Sequence, residues 1–252
     1  MSERLPLLAA NWKMHKNLTA MQVFVEDFLH LTGPVSGKEV LICPPFTLLH
    51  PLRQLLGSED IALGGQNLWT EAEGAFTGEI SGEMLIDSGC TYVIVGHSER
   101  RRLLGETDAL IARKVQAANA AALVPVLCVG ESLNERQADQ AFAVVSSQLE
   151  QALSKFPENG DLVIAYEPVW AIGTGLTAET EDAQAMCAFI RTRLAEILNE
   201  AGAAQTRILY GGSVKAANIN ELMSQADIDG VLVGGASLDA YEFSQIVRFE
   251  HE

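Results

Sequence analysis

The chain contains an unbroken run of six apolar residues, Val124-Pro125-Val126-Leu127-Cys128-Val129, and a shorter run, Val93-Ile94-Val95. Unbroken rather than alternating apolarity is typical of parallel strands that are covered on both faces. Similar short runs recur on both sides of these two, along all 252 residues. The strands predicted in this way are 5–11, 39–43, 61–65, 92–95, 124–129, 162–165, 207–210 and 230–233.

Amphipathic stretches separate the strands, and the longer ones predict helices at 20–30, 108–122, 137–153 and 181–200. Alternation of strands and helices favours βαβ units and a parallel sheet. Eight such units in about 250 residues match a closed (β/α)8 TIM barrel. The predicted fold class is therefore α/β, with one catalytic domain over residues 1–252. A doubly wound open sheet is the alternative, but the first strand ends in Ala9-Ala10-Asn11-Trp12-Lys13 instead of a glycine-rich dinucleotide fingerprint.

The net charge and the cysteine positions limit the kinds of partner that the protein is expected to bind. The net charge of −16 disfavours a nucleic acid, whose phosphates require a basic face, and equally an anionic membrane surface. Cys43, Cys90, Cys128 and Cys187 lack metal-ligand spacing, so we expect buried, reduced thiols and no metal. No secretory signal or membrane-length apolar run is recognised. These observations predict a cytoplasmic protein.

Chemically useful side chains end three of the predicted strands, where barrels carry their active sites. Asn11 and Lys13 alternate along the first strand and should project together. His97 follows the fourth strand, and Glu167 ends the sixth, just before Pro168. Each has a structural or surface interpretation when taken alone. A carboxylate at the mouth of an apolar barrel is costly unless it is paired or used, however, which favours a functional Glu167.

Two kinds of glycine-containing segment follow strands at the same end of the predicted barrel. The segment Pro168-Val169-Trp170-Ala171-Ile172-Gly173-Thr174-Gly175 has an apolar tip followed by glycines, which suits a lid that closes over a site. Gly211-Gly212-Ser213 and Gly234-Gly235 follow the last two strands, where backbone amides can approach a phosphate closely. The residues together predict acid–base chemistry on a small phosphorylated compound.

Several longer motifs extend this set and resemble the triosephosphate isomerase family over almost the whole chain. The lid segment with its preceding glutamate is the most specific of them. The segments that carry the resemblance are Asn11-Trp12-Lys13-Met14, Gly74-Ala75-Phe76-Thr77-Gly78-Glu79, Val95-Gly96-His97-Ser98-Glu99-Arg100-Arg101, Ala165-Tyr166-Glu167-Pro168 with the lid, Tyr210-Gly211-Gly212-Ser213-Val214 and Asp229 to Leu238.

The resemblance implies interconversion of dihydroxyacetone phosphate and glyceraldehyde 3-phosphate through an enediolate, with no cofactor. It implies that Glu167 is the base, that a neutral His97 polarises the carbonyl, and that Lys13 stabilises the developing charge. Ser98 is expected beside Glu167 and Glu99 beside Lys13. The remaining implied substrate contacts are Asn11, backbone amides near Gly173, Ser213, Gly234 and Gly235, and the apolar wall Leu232.

The resemblance also implies a homodimer. The loop from Gln66 to Glu79 matches the interface loop of the family, so Phe76 and Thr77 would enter a second copy near its Asn11 and Met14. Leu103-Leu104 departs from the family, which often has an aromatic residue there, and we expect this to affect packing only. The alternatives are another phosphate-binding barrel enzyme and a barrel that binds phosphate without catalysis. Both are disfavoured because the acid–base residues are all present.

Overall fold

The computed structural model of the chain describes residues 4–157, 160–171 and 178–250. In these ranges the strands pair in parallel, each with the next along the chain, and the last pairs with the first to close a barrel. The strands are β1 Leu7–Asn11, β2 Glu39–Cys43, β3 Ile61–Gly65, β4 Tyr92–Val95, β5 Val124–Val129, β6 Val163–Tyr166, β7 Arg207–Tyr210 and β8 Gly230–Val233. The prediction of a (β/α)8 barrel is confirmed.

Six of the strands match the predicted bounds, and two are displaced. β1 begins at Leu7 rather than residue 5, because Leu5 is 46% exposed and Pro6 has no N–H to donate to a ladder. β6 runs one residue later than predicted, because Tyr166 still pairs with Val129 and Tyr210. The apolar pattern therefore predicts where a strand lies better than it predicts the residues at which the strand begins and ends.

The barrel interior is filled by side chains that alternate along the strands with those facing the helices. Leu7 and Ala9 point inward, whereas Leu8 and Ala10 belong to the larger core between strands and helices. This alternation packs both faces of every strand, so the ends of the barrel are the places where polar side chains can gather. The interior cluster is Leu7, Ala9, Leu41, Cys43, Tyr92, Ile94, Val126, Cys128, Val163, Ala165, Leu209 and Leu232.

Helices follow the strands and cover the barrel. Asn17 begins the first helix by accepting from the amide of Ala20, and Thr107 does the same for Leu110. The helices are α1 Leu18–Thr32, α2 Phe46–Leu56, α3 Gly82–Asp87, α4 Ser98–Leu104, α5 Asp108–Ala120, α6 Leu133–Gln137, α7 Ala141–Leu153, α8 Thr180–Leu198, α9 Glu200–Gln205, α10 Ile219–Met223 and α11 Ala240–Val247. Short 3-10 turns lie at Val169–Ala171 and Gly235–Leu238.

The helix predicted over 137–153 was wrong at its beginning. The segment is two helices, α6 and α7, separated at Asp139, whose φ of 57° is left-handed. The helix predicted over 181–200 ends at Leu198, because Asn199 has a φ of 105° and begins α9 by accepting from Gly202. In both places a polar residue with a positive φ ends the helix. The apolar periodicity continues across it, which is why the sequence pattern did not predict the break.

All four cysteines are free and buried, as predicted. None of the helices in the described part of the chain combines the length and apolarity that a membrane span requires.

Candidate active site

A cavity of about 630 Å³ opens at the carboxyl end of the barrel. It gathers residues predicted from the ends of five different strands, including both glycine pairs. Parallel strands deliver their last residues to one edge, which is why positions far apart in sequence meet here. The predicted site residues that line it are Asn11, Lys13, His97, Glu167, Ala171, Ser213, Leu232, Gly234 and Gly235.

Glu167 lies at the base of the cavity and is only 3% exposed. Its Oε1 is 3.0 Å from Nε2 of His97, and its Oε2 accepts from the backbone amide of Ser98 at 2.9 Å. Burial raises the pKa of Glu167, but His97 and the Ser98 amide outweigh burial and lower it below its ordinary value. Glu167 is therefore an ionised carboxylate in a nearly dry pocket.

The backbone behind Glu167 is held by close glycines. A Cβ placed on Gly130 would lie 1.8 Å from the carbonyl oxygen of Glu167, and one on Gly211 would lie 3.0 Å from its Cγ. The Glu167 amide also donates to Val129 at 2.8 Å. The two glycines allow the neighbouring strand ends to pack directly against Glu167 and hold its backbone in place.

His97 precedes α4 and acts as its N-terminal cap: the amide of Glu99 donates to Nδ1 at 3.2 Å. An imidazolium has a hydrogen on both nitrogens and could not accept at Nδ1. The contact fits a neutral ring that has its hydrogen on Nε2, the nitrogen that faces Glu167. Burial lowers the pKa of His97, whereas the Glu167 and Glu99 carboxylates raise it, and the net direction is upward while the pair is intact.

Lys13 reaches the cavity from a strained loop. Its φ of 52° is left-handed, and two hydrogen bonds stabilise this backbone conformation. The Lys13 amide donates to Oδ1 of Asn11 at 3.0 Å, and Nε2 of Gln66 donates to the Lys13 carbonyl at 2.8 Å. Nζ lies 2.6 Å from Oε1 of Glu99. The ammonium is thus positioned beside Gly234, where a Cβ would come within 3.4 Å of Lys13 Cε.

Two loops with little side-chain bulk form the opposite wall. Gly212 has no room for a side chain, because a Cβ there would lie 2.2 Å from the Tyr210 hydroxyl oxygen. Gly235 begins the short 3-10 turn after β8 and is open, with nothing within 4 Å of a Cβ position. The glycines of this wall can therefore offer their backbone amides to an anion, beside Ser213 and Lys215, which also line the cavity.

The predicted lid is described only in its first half. Ile172, Gly173, Thr174 and Gly175, and with them one predicted phosphate contact, lie outside the described residues. Of the rest, Pro168 and Ala171 are buried, Val169 begins a 3-10 turn, and Trp170 is partly buried.

Two polar residues that support the site, Glu131 and Gln66, were not predicted as site residues from the sequence. Nε1 of Trp170 donates to Glu131 at 2.8 Å, and the Tyr166 hydroxyl donates to the same carboxylate oxygen at 3.2 Å. Glu131 is completely buried. Gln66, which clamps Lys13, also donates to the carbonyl of Cys43. Both follow a strand end, β5 and β3, so a complete survey of strand ends would have found them.

The predicted interface residues are all exposed at the surface. Met14 is 94% exposed, and Phe76 and Thr77 are exposed at the tip of their loop. A second opening of about 300 Å³ adjoins Lys13, and Leu103 and Leu104 line it together with Met14. Both leucines are exposed, so this departure from the family pattern lies at a surface and not in the core.

The arrangement suits proton transfer. A buried carboxylate lies 3.0 Å from an imidazole nitrogen, and an ammonium lies beside the glycine loop after β8, whose backbone amides can bind an anion. The described residues contain no group of three or more His, Cys, Asp or Glu side chains that could hold a metal ion. The fold and this site define the class of barrel isomerases that act on phosphorylated substrates.

Comparison with known proteins identifies the family. A family model described as triosephosphate isomerase matches residues 6–250. The chain belongs to the triosephosphate isomerase family. Curated relatives of that name include those of Chloroflexus aurantiacus, 52% identical over 98% of this chain and 100% of the relative, and Roseiflexus sp. strain RS-1, 54% identical over 98% of each. That of Symbiobacterium thermophilum is 52% identical over 96% of each.

Proposed function

We propose that Glu167, His97 and Lys13 carry the isomerisation of dihydroxyacetone phosphate and D-glyceraldehyde 3-phosphate, the triose phosphate step of glycolysis and gluconeogenesis. The chain is an intramolecular aldose–ketose isomerase. The observation that supports these roles most strongly is the 3.0 Å contact between Oε1 of Glu167 and Nε2 of His97, buried at the barrel mouth beside Lys13.

Glu167 acts as the base. Its carboxylate removes a proton from the carbon beside the carbonyl, and the electron pair of that C–H bond moves toward the carbonyl oxygen. Return of the proton to the neighbouring carbon completes the exchange of aldehyde and ketone. Side chains supply every proton transfer, so the reaction needs no cofactor and no metal.

His97 and Lys13 act on the oxygens. The Nε2–H of His97 donates to the carbonyl oxygen and passes a proton between the two oxygens of the enediolate, while the Lys13 ammonium and the Asn11 amide stabilise its negative charge. Movement of Glu167 from His97 to the substrate removes the larger of the two carboxylate effects that raise the pKa of His97 and leaves that of Glu99. Burial and the Lys13 ammonium, which lower this pKa, then favour the neutral ring.

The phosphate is bound away from the reacting carbons. We assign its binding to backbone amides near Gly173, Ser213, Gly234 and Gly235, and the apolar wall of the site to Leu232. Remote binding energy of this kind is available for closing the lid, Pro168 to Gly175, and for orienting Glu167. Exclusion of water strengthens the electrostatic interactions of the site and protects the enediolate from side reactions.

We further propose a homodimer. The apolar side chains of Met14, Leu103 and Leu104 are exposed around the second opening, and an apolar surface of this kind is a usual binding surface. The tip formed by Phe76 and Thr77 would enter the corresponding opening of a second copy, near its Asn11. Each active site would then depend on its partner.

We propose the cytoplasm as the compartment, because four buried free thiols suit a reducing environment. The net charge of −16 argues against nucleic acid or a membrane as a partner. Residues 1–252 are proposed to act as one catalytic domain.

Exchange with solvent deuterium tests the assigned base. Wild-type protein incubated with dihydroxyacetone phosphate in D₂O is expected to incorporate one deuterium at the reacting carbon, and Glu167→Gln is expected to incorporate none on the same timescale. Deuterium incorporation by the Gln variant at the wild-type rate would remove Glu167 from this role.

A further inference from the structure

A second lysine follows Lys13 in the loop after β1. Lys16 has a left-handed φ of 72°, and its Nζ donates to the carbonyl oxygen of Leu238 at 2.7 Å. The ammonium also lies over two aromatic rings, 4.5 Å from the ring centroid of Phe24 and 5.2 Å from that of Trp12. Lys16 thus joins the loop of Lys13 to a segment more than 200 positions later in the chain.

Leu238 ends the 3-10 turn Gly235–Leu238, which follows β8 and whose first residue lines the cavity. Ser237 fixes the other end of the turn: its hydroxyl contacts the carbonyl oxygens of Val233 at 3.0 Å and Gly234 at 2.7 Å, and its amide donates to Gly234 at 2.9 Å. The turn is therefore one tightly bonded unit, and displacement of its last carbonyl would shift the amides at its start.

We propose that Lys16 is a positioning residue that holds the Gly235–Leu238 turn against the loop of Lys13 and thereby sets the affinity for the substrate phosphate. The inference rests on the proposed role of the Gly234 and Gly235 amides. Burial lowers the pKa of Lys16, and the Asp239 carboxylate opposes that shift. The side chain is half-buried, and its hydrogen-bond acceptor is the backbone carbonyl that ends the turn.

Lys13 has its own anchors in Asn11, Gln66 and Glu99, so loss of Lys16 should leave the ammonium of Lys13 in place. The effect is therefore expected on phosphate binding rather than on turnover. A small displacement of a binding group is sufficient to weaken a geometry-dependent contact.

The chain offers a matched control in Lys38. Its Nζ donates to the carbonyl oxygens of Val247, at 3.1 Å, and Phe249, at the end of α11, and it lies 3.8 Å from the Phe249 ring centroid. Lys38 precedes β2 and so lies at the opposite end of the barrel. It resembles Lys16 in its contacts and in its burial-lowered pKa, but it cannot touch the phosphate wall.

The experiment measures the competitive inhibition constant of inorganic phosphate, KM and kcat for glyceraldehyde 3-phosphate in wild type, Lys16→Met, Lys16→Arg and Lys38→Met. Lys16→Met should raise the phosphate constant and KM about fivefold, which corresponds to about 1 kcal/mol, with kcat within about twofold. Lys16→Arg should recover most of the loss. Lys38→Met should leave all three values unchanged.

Hydrogen exchange of the amides at 234–238 provides a local measurement, and it should quicken in Lys16→Met but not in Lys38→Met. If the Met variant does not fold, Lys16→Gln, a shorter donor, takes its place. An unchanged phosphate constant in the folded variant, or an equal rise in Lys38→Met, would overturn the inference. Wild-type protein without turnover would instead remove the proposed function itself.

Discussion

Oε1 of Glu167, at the end of β6, lies 3.0 Å from Nε2 of His97, at the end of β4, and both side chains are almost completely buried. The two strands are not neighbours, since β5 lies between them. Gly130 and Gly211 allow the ends of β5 and β7 to pack against Glu167 from either side. Packing of the barrel strands therefore positions the backbone from which Glu167 reaches His97.

Replacement of Glu167 tests the base without changing the shape of the site. Glu167→Gln retains the size of the side chain but cannot accept a proton from carbon, so kcat should fall by about 10³-fold or more. The near-ultraviolet circular dichroism should remain that of the wild type. A folded variant that retains a tenth of the wild-type kcat would contradict the assignment.

Gly130 provides a backbone test of the same position. An alanine Cβ would meet the Glu167 carbonyl oxygen at 1.8 Å, so Gly130→Ala must displace the base. We expect kcat/KM to fall at least about tenfold and the free energy of unfolding to fall by about 1–3 kcal/mol.

Gly57→Ala is the control for that variant. Gly57 has a φ of 55°, a ψ of −113° and open space around it, so alanine there costs about 1–3 kcal/mol of backbone strain and should leave kcat/KM unchanged. Equal activity losses in the two variants would mean that instability, and not displacement of Glu167, explains the effect of Gly130→Ala.

A buried ion pair outside the cavity should govern stability in acid. Nζ of Lys114, which is fully buried, lies 2.5 Å from Oε1 of Glu106, and Nε of Arg100 lies 2.6 Å from the same oxygen. Burial raises the pKa of Glu106, but the two cations lower it more, so the net shift is downward. The carboxylate therefore stabilises the fold above about pH 4.3, the ordinary pKa of Glu, and loses this effect as the pH falls through its lower folded pKa.

Urea unfolding of wild type and Glu106→Gln at fixed protein concentration checks this prediction. The difference in unfolding free energy should be about 3–5 kcal/mol at pH 7, because Lys114 is left without its counter-charge, and should shrink below about pH 4. A difference that stays constant from pH 7 to pH 3 would show that the charge of Glu106 is not responsible.

The proposed dimer predicts that oligomerisation and activity fail together. Phe76→Glu and Thr77→Glu place charges on the loop tip and should shift sedimentation toward the monomer, with a matching loss of kcat/KM. Phe142→Glu is the control, because Phe142 is 47% exposed on α7 and packs edge-on against Phe189. An unchanged dimer in the Phe76 and Thr77 variants would remove these residues from the interface.

The fold could be predicted because apolar runs such as Val124–Val129 carry the periodicity of covered parallel strands, and eight of them fill the chain. The break between α6 and α7 could not, because it depends on the left-handed backbone of Asp139, a polar residue on the surface. Leu5 resembled strand residues in composition, but its exposure and the proline that follows it place it outside β1.

The same division holds at the site. Asn11, Lys13, His97 and Glu167 were accessible to sequence reasoning because each lies within two residues of the end of a strand. The contacts of Lys16 with Leu238 and of Trp170 with Glu131 were not, because they join loops that meet only after the barrel has closed. The apolar periodicity predicts which segments meet at the carboxyl end of the barrel. Contacts between loops depend in addition on how far each side chain extends and in which direction.

The most direct test of the central claim is the rate at which the purified chain converts glyceraldehyde 3-phosphate to dihydroxyacetone phosphate without added metal or nucleotide. For the assigned activity we expect a kcat/KM of about 10⁷–10⁹ M⁻¹s⁻¹, in the range of diffusion-limited enzymes. A folded protein that binds inorganic phosphate but shows no detectable turnover would contradict it and would favour a barrel that binds phosphate without catalysis.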